Sequence, residues 1–145
     1  MDRQIPHRRL LLALLVLTLL FIWGNSLLPA EVSRVISRHV TEVLGALLGR
    51  PLGAEMGHGL VRKLAHGTEY LLLGLELSLL VVEKPRHRPL VVLLGMAAAL
   101  VDETIQLFVP GRAGQIRDIW IDLGGCCLGV LITALIAAVR RRRGI

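Results

Sequence analysis

The chain has 145 residues, 54% of them hydrophobic, a mean hydropathy of +0.65 and a formal net charge of +6. A soluble domain is about 45–50% apolar even with glycine counted, so the excess lies in long apolar runs, and 1–145 reads as a single membrane domain with no room for a second. Aromatic residues make up only 3%, which excludes a stacking platform for single-stranded nucleic acid. The basic residues flank apolar runs, where they report topology and not a nucleic-acid partner.

Crossing roughly 30 Å of hydrocarbon takes about 20 mostly apolar residues. The first such run is Leu10–Leu28, with Arg3, Arg8 and Arg9 before it and Trp23 near its outer end, at the depth of an aromatic belt. It is long for the apolar region of a secretory signal and no clear cleavage site follows, so it is read as a retained span ended by Pro29. Over 32–48, Val32, Val35, Ile36, Val40, Val43, Leu44, Leu47 and Leu48 share one helical face, and Arg34, Ser37, Arg38, Thr41 and Glu42 share the other. This is the period of an amphipathic helix lying in the membrane interface. Residues 49–59 read as a connector. The second span is expected over 64–82, a basic turn over 83–89, the third span over 90–109, a Pro-Gly turn over 110–114 and the fourth span over 119–139, with Arg140–Arg143 as a basic stop. The expected fold is an all-α integral membrane protein, a bundle of four transmembrane helices with the interfacial helix between the first two.

Arg3, Arg8, Arg9, Lys84, Arg86, Arg88 and the terminal arginines fall on one side of such a bundle. Arg34, Arg38, Arg50, Arg62, Lys63, Arg112 and Arg117 fall on the other, several of them in a longer loop. The bias predicts both termini in the cytoplasm. Cys126 and Cys127 are adjacent within an apolar run, so they point in different directions on a helix and lack metal-ligand spacing; they read as small residues at a helix contact. Gly125-x-x-x-Gly129 is the spacing that lets membrane helices approach closely.

An ionised residue near the middle of a span costs about 2.5–3.5 kcal/mol, yet these spans hold several. The second carries His66, Glu69 and Glu76, with Lys63 at its start; the third carries Asp102, Glu103 and Gln106; the fourth follows Asp118 and contains Asp122. At about 1.5 Å of rise per residue, all but Glu76 lie within roughly 10 Å of the outer end of their helix. Three helices thus present polar groups at one level in the outer half of the membrane. Glu76, deeper, is expected to pair with another helix. Lys63, His66 and Tyr70 form one stripe, Gln106 shares a face with Asp102 or Glu103, and Asp118 and Asp122 are four apart, so each span has one polar face to turn inward.

Three chemical readings fit. His66 with Glu69, Glu103 and Asp118 can bind a divalent metal or perform acid–base chemistry on a lipid-linked phosphate, with Lys63 and Arg112 holding its oxygens. The same residues can form a binding pocket without reaction. Or they can fasten the helices by His66–Glu and Arg112–Asp pairs. No esterase elbow, zinc-protease helix or phosphate loop is present to favour an enzyme, and no cofactor is assigned. Four spans without an inverted repeat would need a homo-oligomer to serve as a transporter.

The residues Lys63-x-x-His66-x-x-Glu69-Tyr70-x-x-x-Gly74, then Glu103-x-x-Gln106-x-Phe108-x-Pro110-Gly111-Arg112, then Asp118-x-x-x-Asp122-x-x-Gly125-x-x-x-Gly129, occur in this order. The composite resembles the VanZ-like family over most of residues 60–130. The resemblance implies a multi-pass protein of the bacterial cytoplasmic membrane, in a family whose namesake is associated with low-level resistance to the glycopeptide teicoplanin. It implies a ligand-binding set of Lys63, His66, Glu69, Tyr70, Glu103, Gln106, Arg112, Asp118 and Asp122, with His66, Glu103 and Asp118 as catalytic candidates. Asp122 departs from the pattern, which usually has Asn there. The expected function is binding of an envelope lipid, or glycopeptide tolerance, through a polar pocket in the outer membrane half. A membrane enzyme acting on a lipid-linked phosphate and a structural or partner-binding protein are the alternatives. His66, Glu103, Arg112 and Asp118 are expected to converge, with the Pro-Gly turn folding Arg112 toward Glu103 and Asp118.

Overall fold

The computed structural model describes residues 5–49, 54–81 and 87–144, with side chains for 7–49, 59–81 and 87–144. Arg3, Arg50, residues 83–86 of the basic turn with Lys84 and Arg86, and the His58 side chain lie outside the described residues. Among the described residues all regular structure is helical: α1 (Ile5–Ser26), α2 (Ala30–Leu47), α3 (Ala54–Val81), α4 (Arg88–Leu107) and α5 (Ile116–Arg143). Four of these contain apolar stretches long enough to cross a membrane, His7–Ser26, Gly59–Val81, Arg88–Leu107 and Ile116–Arg143. α3 starts at Ala54, so the second half of the stretch read as a connector is helix. α1 ends at Ser26, three residues before the proline that was expected to end it; Pro29 instead precedes the first turn of α2.

Local chemistry explains the ends. Pro89 sits in the first turn of α4, where a missing N–H loses no helical bond. The four arginines of the last turn of α5 complement its negative dipole end, and Gly144 closes it with φ 69° in the left-handed region.

The outward surface is a belt of leucine, valine and isoleucine on every spanning helix, including Leu17, Leu72, Leu93 and Leu135. Such residues are satisfied by acyl chains, so the interior is free to be built from small and polar groups. α3 and α5 make the closest pair. A methyl at Gly125 would collide with the Gly67 carbonyl, one at Gly129 with the Leu71 carbonyl, and one at Gly74 with the backbone of Cys126. The buried cluster beside this seam contains Tyr70, Leu73 and Leu77 of α3, Val91, Ala98 and Ala99 of α4, Cys126 and Val130 of α5, and Ile22 of α1. Only the first of the two cysteines serves as a helix contact, since Cys127 is exposed.

α2 is amphipathic as expected, with Val32, Val35, Ile36, Val43 and Leu47 exposed. Its seam with the bundle, however, is Ser37, Thr41 and Gly45, which are buried as the helix packs on α3. Ser37 and Thr41 had been placed on a water-facing side. Small residues allow close approach, and the Thr41 hydroxyl is satisfied locally by donating to the Ser37 carbonyl at 2.7 Å. α1 buries only Ile22 and Ser26 fully and is tied to its neighbours by polar contacts. Thr18 donates to Glu76 at 2.9 Å, which supplies the interhelical partner expected for that carboxylate, Trp23 Nε1 donates to the Ala98 carbonyl at 3.4 Å, and Asn25 donates to Glu69 at 3.1 Å.

Candidate functional site

The C-terminal turns of α1 and α4 and the N-terminal halves of α3 and α5 meet at one end of the bundle, with α2 beside them. At the rim, Arg62 of α3 donates to Asp118 of α5 at 2.8 Å; the Arg62 side chain is 33% exposed and that of Asp118 5%, so water screens only one partner. The turn between α4 and α5 is shaped by Gly111 at φ 73°, and the Ala30 amide donates to the Pro110 carbonyl at 3.4 Å. This aims Arg112 across the end of α1. Its Nε donates to the Leu28 carbonyl and its Nη2 to the Asn25 carbonyl, both at 3.1 Å, and its Nη1 to Gln106 Oε1 at 3.5 Å. Arg112 therefore caps the negative end of the α1 dipole, binding the Leu28 carbonyl just beyond the helix and the Asn25 carbonyl, which also accepts from the Leu28 amide at 3.2 Å. Arg112 lies near enough to Glu103 and Asp118 to feel their charge, but its hydrogen bonds go to these carbonyls and to Gln106. Burial, and then the Arg62 guanidinium, lower the Arg112 pKa from its ordinary value, though arginine remains charged.

Glu103 ties α4 to the start of α5. Its Oε2 accepts from the Gln115 amide at 2.6 Å and its Oε1 from Gln106 Nε2 at 3.2 Å. Gln106, fully buried, is a hub: the same nitrogen lies 3.3 Å from Ser26 Oγ and 3.3 Å from Asp102 Oδ2.

Deeper still, His66 of α3 stands between two carboxylates. Its Nδ1 is 3.4 Å from Asp122 Oδ1 and 3.8 Å from Asp102 Oδ2. Both aspartates are 0% exposed, and His66 is buried. The three residues offer metal-ligand atoms that all lie within 4.8 Å of one another. Tyr70, one turn further along α3, is buried with its hydroxyl unpartnered.

Three neighbouring spaces lie on the His66 side of this cluster. A groove of about 560 Å³ between α1, α2 and α3 is lined by Leu17, Phe21, Val40, Leu44 and Leu64, with Glu69 at its polar edge. It shares Val40, Val61 and Ala65 with a smaller cavity of about 120 Å³ that includes His66, Arg62 and Arg112. That cavity in turn shares Ser33, Ser37 and Arg62 with an open mouth of about 360 Å³ bearing Arg34, Lys63 and Asp118.

The structure thus gathers all nine residues of the expected set at one end, on different levels. Lys63, Arg112 and Asp118 are at the mouth and rim, Glu69 faces the groove, and Glu103 and Gln106 form the α4–α5 tie. His66, Asp122 and Tyr70 are innermost. Glu103 and Asp118 engage Gln115 and Arg62 respectively, while the carboxylates beside His66 are Asp102 and Asp122. Two contributors were left out of the expected set. Asp102 is four residues before Gln106, the signal that could have joined it to the site. Arg62 sits beside Lys63 on the entry turn and had been read only as a topology charge.

No curated protein and no solved structure gave a significant match to this chain. The VanZ/LLP1 family model matches residues 10–137, which takes in the second and third spans, most of the first and fourth, and every residue of the site. The chain belongs to the VanZ/LLP1 family.

Proposed function

We propose that the protein binds an anionic lipid of the bacterial envelope, its acyl chain in the groove between α1, α2 and α3 and its headgroup at the basic mouth. The observation that carries this reading is the succession of neighbouring spaces, an apolar groove, a cavity beside His66 and a mouth bearing Arg34, Arg62 and Lys63, each sharing wall residues with the next. An amphiphile needs that sequence of environments, and guanidinium groups suit phosphate oxygens. With both termini in the cytoplasm, as the basic residues favour, the mouth opens toward the outer leaflet of the cytoplasmic membrane, where holding an envelope lipid would alter its exposure to a teicoplanin-type glycopeptide. A reporter fused after Arg143 that reads extracytoplasmic would reverse this orientation.

The binding test is competition between phosphatidylglycerol and phosphatidylcholine on delipidated protein, followed by native mass spectrometry. Wild type should retain phosphatidylglycerol about tenfold better, equivalent to 1.4 kcal/mol. Arg34→Gln with Lys63→Gln should erase most of that preference, since both line the mouth and make no ion pair among the described residues. Ala65→Phe, which places a ring where groove and inner cavity meet, should reduce retention of both lipids. Equal retention of the two lipids by wild type would refute the reading.

A further inference from the structure

We infer that His66, Asp102 and Asp122 form an intramembrane binding site for one divalent transition-metal ion. The site does not rest on lipid binding, because the metal can be tested alone.

The first argument is geometric. The donors come from three helices, α3, α4 and α5, and converge from different directions on one point. Zinc-type ions hold nitrogen and oxygen ligands at about 2.0–2.2 Å, so tetrahedral neighbours stand roughly 3.3–3.6 Å apart. The separation from His66 Nδ1 to Asp122, 3.4 Å, falls within that range; the 3.8 Å to Asp102 lies beyond it and the whole set lies within 4.8 Å, so small side-chain adjustments would close the set on an ion. The same separations are long for direct hydrogen bonds, which weaken well before 3.6 Å.

The second argument is the unmet demand of the atoms. His66 Nδ1, Asp102 Oδ1 and both carboxylate oxygens of Asp122 are buried with no hydrogen-bond partner. Native interiors rarely leave such groups unsatisfied. Two ionised carboxylates exceed the single charge that one imidazolium supplies, whereas a divalent cation balances both with the histidine neutral and ligating. The surrounding residues would orient the ligands, since Gln106 donates to Asp102 Oδ2 at 3.3 Å.

The third argument is chemical selectivity and access. One imidazole with two carboxylates suits zinc, manganese or iron better than magnesium or calcium, which take all-oxygen sites. His66 forms part of the wall of a cavity that shares Ser33, Ser37 and Arg62 with the open mouth, so the site lies next to a space that borders water. Three protein donors leave a coordination position for water or an anion, as in open zinc sites.

The test uses full-length protein in detergent, stripped with a chelator and then titrated with Zn²⁺ or Mn²⁺ by calorimetry, with metal content measured after desalting. Wild type should bind one ion per chain at this site and melt at a higher temperature when loaded. Asp122→Asn keeps the shape and should weaken binding by at least about 100-fold, while its metal-free melting temperature equals or exceeds that of wild type, because a buried charge has been removed. Bound Co²⁺ should show a ligand-field spectrum that His66→Gln abolishes and His39→Gln, on the exposed part of α2, leaves intact. Absence of metal uptake by wild type would overturn the site. So would equal uptake by wild type and Asp122→Asn. A lower metal-free melting temperature for Asp122→Asn without any metal effect would identify the three residues as an ionic clasp.

Discussion

Along α3, one stretch from Gly67 to Gly74 meets α5 backbone to backbone, while the turns just before it meet charged side chains from neighbouring helices. The first contact is held by close packing of small residues and involves little beyond shape. The second has fixed geometry and more acceptors than donors, with four buried atoms around His66 left unpaired. The two are mechanically joined. Gly67 follows His66 directly, and Gly125 lies three residues after Asp122, so the distance at which the glycine seam lets α3 and α5 approach also sets the separation of His66 and Asp122. A rigid, dry seam is what a cluster of unsatisfied carboxylates requires if it is not to relax by drifting apart.

The largest expected effect comes from attacking the seam. Gly125→Val forces the Gly67 carbonyl away and should lower stability by about 3 kcal/mol or more, at or beyond the usual range for overpacking. Thermal unfolding in detergent would show this together with lower membrane abundance; a near-wild-type melting temperature would mean that the seam is not the rigid element. Glu103→Gln should have a smaller effect, about 1–2 kcal/mol. The variant retains one acceptor for the Gln115 amide but turns an amide donor toward Gln106 Nε2. Loss of an envelope phenotype with unchanged stability would move Glu103 from the scaffold into the ligand site. The mildest change is Thr18→Ala, which removes the bond to Glu76 far from the polar end; about 0.6 kcal/mol is typical of hydrogen bonds between membrane helices. A much larger loss would show that α1 depends on this contact more than on its partners at the polar end.

Spans and depth were legible because apolar run length and helical rise are one-dimensional quantities. Each of the four runs is found in its own helix, although α3 begins at Ala54, well before the expected start at 64, and counting turns puts His66, Glu103 and Asp122 toward one end of the bundle. Pairing was less legible, since it depends on how helices rotate. Glu103 and Asp102 are neighbours in sequence, and only rotation of α4 decides which faces His66. The hydrogen bonds of Arg112 show the same limit: the sequence gives its charge but not the two carbonyls at the end of α1, which are backbone groups common to every helix. Ser37 and Thr41 were misplaced because polarity was taken to mean water, whereas in a membrane protein small hydroxyl residues also make helix contacts.

The capping of α1 by Arg112 has a consequence for biosynthesis. Residues 25 and 28, whose carbonyls are held, precede Arg112 in the chain by 87 and 84 positions. α1, α2, α3 and α4 are all synthesised before the residue that fastens the end of the first. Until then α1 is anchored near that end by Ile22 in the buried cluster and by the hydrogen bonds of Asn25 with Glu69, Trp23 with Ala98, and Ser26 with Gln106. The ties from Arg112 are therefore the last to form at that end, and the α4–α5 turn acts as the latch that closes over α1 as the last helix is inserted.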